Sequence, residues 1–375
     1  MSGPGKEHQP ITYSDTGVNY GAMDPLKRMA QLRARSTSGN LERFGMKEVE
    51  SSRGESAYVW DQGATYGAFV VEGLGTKNMV ADEVRKFTGK THYDSIAQDT
   101  VAMIVNDLIT VGAAPQVVNA YFAVGESEWF SDKKRTEDLV EGWTKACDMA
   151  GAVYGGGESP TLKGIIDPKT IDLSGSAVGI IKPKERYATG DKIKVGDAIF
   201  LIESSGIHAN GLTLARTVAD MLPNGYQTKL SDGGTYGEAL LRPTHIYAKL
   251  IEDLFNAGVD IHYMANITGH GWRKLMRAER DLSYIVDIIP EVPEEFSVIQ
   301  RISNNNDREM YGNFNMGAGF ALFMPNKDID LARQISMQNH KLTAFRAGHV
   351  DEGERKVIIR PKDNLPFEAK TLGVR

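Results

Sequence analysis

A two-domain protein of mixed α/β or α+β class is predicted by three observations. The chain has 375 residues, enough for two domains of ordinary size. Strand-like and helix-like periods alternate through both halves. Between them, residues 182–194 form a polar run rich in turn formers, after which the pattern restarts. The expected division is therefore 1–185 and 186–375.

The elements follow in order. Residues 1–10 are polar, with Gly and Pro, and read as a tail. The spacing of Met23, Leu26, Met29, Ala30 and Leu32 predicts a helix over 21–35, and 35–54 reads as a loop. A strand over 66–72 runs into the turn Gly73-Leu74-Gly75-Thr76-Lys77. The clearest helix spans 94–111, with Val101, Ile104, Val105 and Leu108 on one face and Asp99 and Asn106 opposite, Asp107 close by. Strands are expected over 116–124 and 170–181, with a helix over 132–150 between them. In the second half the strands fall at 198–203, 263–267, 282–289, 319–324, 342–350 and 356–360. Helices are placed after Asn210, over 236–257 and over 271–279. No short-period repeat is present.

Composition narrows the function classes. Hydrophobic residues make up 41% and charged residues 25%, as in a globular protein with a core, and no run approaches the ~18 apolar residues of a membrane span. With no secretory h-region at its start, the chain is expected in the cytoplasm. A single cysteine, Cys147, excludes an internal disulfide and a cysteine-rich metal site. The net charge of −6 argues against non-specific nucleic-acid binding, yet leaves room for phosphorylated small molecules.

Several polar loops at the ends of regular elements are candidates for chemistry. In Glu72-Gly73-Leu74-Gly75-Thr76-Lys77, glycines would let the backbone approach a phosphate, and Thr76 and Lys77 offer a hydroxyl and a charge. The spacing is not that of a Walker A loop, and an ordinary turn reads the same way. Asp99, Asn106 and Asp107 are hard oxygen donors suited to Mg²⁺ with nucleotide phosphates, or else a solvated helix face. Three glycines before Glu158 point to close backbone approach or to a plain turn. Ser205-Gly206-Ile207-His208-Ala209-Asn210-Gly211 and Asn266-Ile267-Thr268-Gly269-His270-Gly271 each lead from a strand into a helix, where N–H groups can face an anion. His208 could orient or protonate a substrate group, or be an exposed loop histidine. Asn313-Phe314-Asn315-Met316-Gly317 is a third such loop. As a set, these loops are more informative than any one alone.

The order of these pieces resembles the aminoimidazole ribonucleotide synthetase (phosphoribosylformylglycinamidine cyclo-ligase) family. The resemblance runs from Tyr13-Ser14-Asp15-Thr16-Gly17-Val18 through Gly73–Lys77, Ala102–Pro115, Gly155–Glu158, Ser205–Gly211, Leu241–Tyr247 and Thr268-Gly269 to Glu309–Gly317, covering roughly residues 13–360. It implies a homodimer whose amino-terminal mixed sheets form a shared barrel, with a carboxy-terminal α/β domain in each copy. It also implies ATP-dependent ring closure of formylglycinamidine ribonucleotide, with release of ADP and phosphate, and neither nucleic acid nor membrane as partner. ATP would be held by Gly73, Gly75, Thr76, Lys77, Asn106, Gly156 and Glu158. Mg²⁺ would sit on Glu72, Asp99 and Asp107. The phosphoribosyl substrate would lie against Asn210, Gly211, Thr268, Gly269 and Asn315, with Lys77 and His208 catalytic.

The chain departs from the family pattern in places. Glu72 stands where aspartate is usual, His270 where glycine is usual, and the loop over 53–67 lacks the Gly-Phe-Gly pattern. Other readings are an ATP-using relative with another small substrate, such as a thiamine monophosphate kinase or a selenophosphate synthetase, or a catalytically silent nucleotide-binding relative. Among the former, an amino-terminal cysteine or selenocysteine and a carboxy-terminal cysteine are the marks of selenophosphate synthetase and of the hydrogenase-maturation relative, and neither is present.

Overall fold

The computed structural model describes residues 9–373, so most of the expected tail over 1–10 lies outside the described residues. The first half contains, in chain order, α1 (Tyr20–Ala34), β1 (Lys47–Glu48), β2 (Tyr58–Asp61), β3 (Tyr66–Gly73), α2 (Lys77–Thr88) and α3 (Tyr93–Ile109). It continues with β4 (Ala114–Val124), α4 (Lys133–Ala150), β5 (Val153–Glu158) and β6 (Ile171–Ile181). Its sheet has the order β1-β2-β3-β6-β4-β5, antiparallel except for the β4–β5 pair. Alternation along β3 turns Ala68 and Val70 toward α3 and leaves Phe69 and Val71 on the outer face. That outer face is apolar and open, with Val117, Val153 and Val178 also exposed. Helices α3 and α4 cover the inner face. They approach so closely at Gly142 that a Cβ there would lie 2.5 Å from the carbonyl oxygen of Asp94.

The second half contains β7 (Ala198–Glu203), α5 (Leu212–Met221), α6 (Tyr236–Leu240), α7 (Ala248–Asn256), β8 (Tyr263–Asn266), β9 (Leu282–Val286) and α8 (Glu294–Ser303). Then follow α9 (Asp307–Asn313), β10 (Ala318–Met324), α10 (Ile329–Asn339), β11 (Ala344–Glu352), β12 (Lys356–Ile359) and β13 (Leu365–Glu368). The sheet order is β13-β12-β9-β11-β7-β10-β8, with only β9–β12 parallel among the described residues. β10 is buried along its whole length, as its near-continuous apolar run requires. No helix among the described residues is long and apolar enough to cross a membrane.

Some expected elements take a different form. The loop expected over 35–54 carries a 3₁₀ run, Arg35–Phe44, and the short strand β1. The glycines before Glu158 lie inside edge strand β5 rather than in a turn; a Cβ at Gly157 would meet the carbonyl oxygen of Ala120 at 2.1 Å. The segment 271–279 forms only a 3₁₀ turn, Gly271–Met276. The single helix expected over 236–257 is two short helices, because Pro243 offers no N–H and disfavours helical backbone at Arg242.

That break creates the loop 241–247, which the polar side of α3 clasps. Asp99 Oδ1 accepts from the Thr244 N–H at 2.8 Å, from the Thr244 hydroxyl at 2.5 Å and from Lys77 Nζ at 2.8 Å. Lys77 Nζ also donates to the Arg242 carbonyl at 2.8 Å. Gln98 donates to the Thr244 carbonyl, and Asn106 spans the His245 carbonyl and the Tyr247 N–H. Both faces of α3 are therefore buried, one on the sheet and one on the other domain. Burial pushes the Lys77 ammonium down and the Asp99 carboxyl up, and each is opposed by the other's charge.

The amino-terminal arm crosses to the second domain. Ile11 exchanges hydrogen bonds with the Ser303 carbonyl and the Asn305 side chain, and the Tyr13 N–H donates to Glu309. Tyr20 stacks on His270 with ring centroids 3.8 Å apart. The arm belongs in space with residues beyond 186, although it belongs in sequence with the first domain.

Removing one partner of a buried ion pair leaves an uncompensated charge at a cost of about 3–5 kcal/mol. Asp99→Ala is expected to lose stability on that scale in denaturant unfolding, whereas a loss below about 1 kcal/mol would contradict the clasp.

Candidate active site

A cavity of ≈ 340 Å³ lies where the two domains and the arm meet. Glu72, at the end of β3, and Met103 and Asp107, on α3, come from the first domain. Asn210 and the segment from Thr268 to Arg277 come from the second, and Tyr20, Met23 and Lys27 from the arm. Of the residues expected at a site, the structure gathers Glu72, Asp107, Asn210, Thr268 and Gly269 here. They derive from four separate loops and elements.

The first-domain wall is acidic. The Glu72 carboxyl hydrogen-bonds that of Asp107, and burial together with the Asp107 charge raises the Glu72 pKa to about 8. Asp107 Oδ1 is fixed by a 2.7 Å hydrogen bond from Asn266 Nδ2, across the domain boundary. Two touching carboxyls require a shared proton or a cation between them. Two oxygen donors that leave positions for phosphate and water suit Mg²⁺. The residues present thus fit the ion, although among the described residues no group of three acidic, His or Cys side chains forms a closed metal cage.

The second-domain wall is set by backbone geometry. Asn210 Oδ1 accepts from the Gly269 N–H at 3.1 Å, tying the two loops together. Gly269 cannot carry a side chain, since a Cβ would lie 2.5 Å from the Tyr20 hydroxyl. Lys274 donates to the Thr268 hydroxyl and is buried. Arg277 is held by the Gly54 carbonyl and the Ser56 hydroxyl. Burial and the charges of Arg273, Lys274, Lys27 and Arg277 push the His270 imidazole down to about 2, so it is neutral.

Other expected site residues lie elsewhere. Asp99, expected as a metal ligand, and Lys77 and Asn106, expected at the nucleotide, are engaged in the interdomain clasp. His208, expected to be catalytic, is a buried neutral histidine outside the cavity: Nε2 accepts from the Ser205 N–H at 3.2 Å, and burial holds its pKa well below the ordinary value. Asn315, expected at the substrate, ties its own loop to the one after β7: its Oδ1 accepts from the Ser204 hydroxyl and the Gly317 N–H, and its Nδ2 donates to the Gly206 carbonyl. Gly211 makes room for the Phe314 ring, 2.1 Å from where its Cβ would stand. Gly73, Gly75 and Thr76 form the turn into α2, and the Thr76 hydroxyl is buried with no partner. Gly156 and Glu158 are exposed on β5, and Glu158 lines a depression in the outer sheet face with Asn119, Ser174 and Ser176. The single thiol, Cys147, is buried, as its place in an amphipathic helix predicts.

Sequence reasoning missed Lys27, Lys274 and Arg277. A signal existed for the last two, since the helix expected over 271–279 would set 270, 274 and 277 on one face, although the structure forms a 3₁₀ turn there.

The acidic pair generates a pH dependence. With its folded pKa raised, Glu72 favours the folded state fully below the ordinary value of 4.5 and loses that contribution as pH rises through about 8. In metal-free protein Tm is expected to fall across that window, and Glu72→Gln to flatten the fall in calorimetry. An unchanged slope in the variant would contradict the pairing.

Comparison with known proteins agrees with this architecture. Residues 54–181 match the amino-terminal domain model of AIR synthase related proteins, and residues 194–360 match the carboxy-terminal one. The phosphoribosylformylglycinamidine cyclo-ligase of Methanococcus vannielii is 34% identical over 343 residues, covering 91% of this chain and 93% of that protein. The crystal structure of the hydrogenase maturation protein HypE in complex with ATP has a TM-score of 0.53 at 20% identity, covering 70% of this chain and 75% of that one. The structure of AaThiL complexed with AMPPCP and TMP has a TM-score of 0.55 at 15% identity, covering 82% and 88%. The two-domain chain, with its cavity between the halves, belongs to the AIR synthase related family.

Proposed function

We propose that this chain is an ATP-dependent cyclo-ligase that converts formylglycinamidine ribonucleotide to aminoimidazole ribonucleotide in purine synthesis. The observation that carries the reading is one cavity with an acidic wall from the first domain and an anion-ready wall from the second. It is supported by the similarity to cyclo-ligases over nine-tenths of the chain.

The reaction needs two events at one place. The formyl amide oxygen of the substrate takes the terminal phosphoryl group of ATP, releasing ADP. The neighbouring nitrogen then attacks the activated carbon, loses its proton, and the oxygen leaves as phosphate. Neither event needs a protein nucleophile, so positioning and electrostatics suffice. Glu72 and Asp107 would hold Mg²⁺, which would supply charge neutralisation at the transferring phosphates. The turn Gly73–Thr76, at the amino-terminal end of α2, offers N–H groups to the nucleotide. Asn210 and Thr268 place the substrate. Lys77 acts through the clasp, by fixing where α3 lies.

The open apolar face of the first sheet is where a second copy would stack to complete a shared barrel, and Gly156 and Glu158 would then line that junction. A homodimer acting in the cytoplasm completes the proposal. Val71, 62% exposed at the centre of that face, gives the test. Val71→Glu is expected to halve the mass seen by sedimentation, and an unchanged mass would place the interface elsewhere.

The activity itself is tested by ADP release from purified protein with Mg-ATP, with and without formylglycinamidine ribonucleotide. Substrate-dependent ADP together with aminoimidazole ribonucleotide is expected. Nucleotide binding with no substrate-dependent turnover would overturn the reading.

A further inference from the structure

We propose that Lys27, Lys274 and Arg277 form a subsite that holds a metal-free phosphate monoester, the phosphate of the phosphoribosyl substrate, under the amino-terminal helix α1. Naming the phosphoribosyl group rests on the function proposed above; the anion chemistry does not.

These three cations reach one cavity from elements some 250 residues apart in the chain, α1 and the turn after His270. Lys274 is 8% exposed, and its one hydrogen bond among the described residues goes to the Thr268 hydroxyl. An ammonium has three donors, and leaving two unused at a buried position is costly unless an anion completes them. Asp107 and Glu72 offset its charge, while Arg277 and Lys27 add to the positive charge around it. Arg277 is fixed in orientation by Gly54 and Ser56, so its guanidinium is preorganised rather than mobile. Lys27 stands at the cavity mouth, its side chain 42% exposed, with Asp24 3.7 Å away as a loose partner.

A second observation points to the same ligand. The Nε2 atom of His270 is buried without a hydrogen-bond partner, 3.7 Å from Asp24 Oδ2 and near these cations, in a ring stacked on Tyr20. A neutral imidazole can donate to a phosphate oxygen, and the stack holds the start of α1, and with it Lys27, against the cavity. The carboxyl pair and the cations of this cavity therefore suit different phosphates. A nucleotide arrives with a divalent ion, which the carboxyl pair would receive. A monoester arrives without one and needs lysine and arginine directly. Placing both in a single cavity brings the phosphoryl donor to the acceptor.

Calorimetry with ribose 5-phosphate as the probe, and ribose as the control, tests the subsite without turnover. Ribose 5-phosphate is expected to bind the intact protein, and ribose not to. Lys27→Gln, at a half-exposed position, is expected to weaken ribose 5-phosphate about ten-fold, as is Lys274→Met, with folding checked by circular dichroism. The KM for formylglycinamidine ribonucleotide should rise by a similar factor while the KM for ATP moves less than about two-fold. Absence of ribose 5-phosphate binding, or equal affinity in Lys27→Gln, overturns the proposal. A rise confined to the KM for ATP also overturns it, and assigns the cations to the nucleotide. Weakened ribose 5-phosphate binding in a protein that does not close the ring would sustain the subsite and remove only the ring-closing function.

Discussion

The contact on which the rest depends is the buried junction at Asp99 Oδ1, where Lys77, the Thr244 N–H and the Thr244 hydroxyl converge. Burying an ammonium and a carboxylate costs several kcal/mol each, and only dense hydrogen bonding makes the arrangement tolerable. The pair meets that demand by using the other domain as the source of donors and acceptors. Its members are therefore satisfied only while the loop 241–247 lies on α3. A pair that is at ease only in the docked state fixes the relation of the two domains.

That relation sets the chemistry of the cavity. Glu72 and Asp107 are brought up by β3 and α3, while Asn266, Thr268 and Lys274 come from the far side. The 2.7 Å bond from Asn266 to Asp107 crosses the boundary at the floor of the site. If α3 slid by one turn, about 5.4 Å, the acidic pair would lose Asn266 and the cationic wall together. The arm adds a third constraint, because Tyr20 packs on His270 where Gly269 leaves room for its hydroxyl.

Much of the fold was legible in the sequence because its periods are local. The 3.6-residue spacing of Val101, Ile104, Val105 and Leu108 and the two-residue alternation of β3 each report burial directly. The split of residues 236–257 was also readable from Pro243, but the apolar residues on both sides of it favour one long helix when counted by period alone. The site was legible in part. Glu72, Asp107, Asn210, Thr268 and Gly269 meet in one cavity, and their order along the chain marks a known family. What sequence could not settle was which face of α3 sees ligand. Asp99, Asn106 and Asp107 are all oxygen donors on one helix, yet two of them bind a loop 140 residues away and only the third reaches the cavity. His208 and Asn315 fall to the same ambiguity, since a polar residue that braces a loop looks the same in sequence as one that binds a ligand.

Amide hydrogen exchange at Thr244 and Tyr247 tests the clasp most directly, because their N–H groups donate to Asp99 and Asn106 across the boundary. If the clasp fixes the two domains, these two amides exchange only through global unfolding, as slowly as the centre of β10. Exchange at the rate of an open surface loop, with β10 still protected, would show that the domains part without unfolding and would contradict the account.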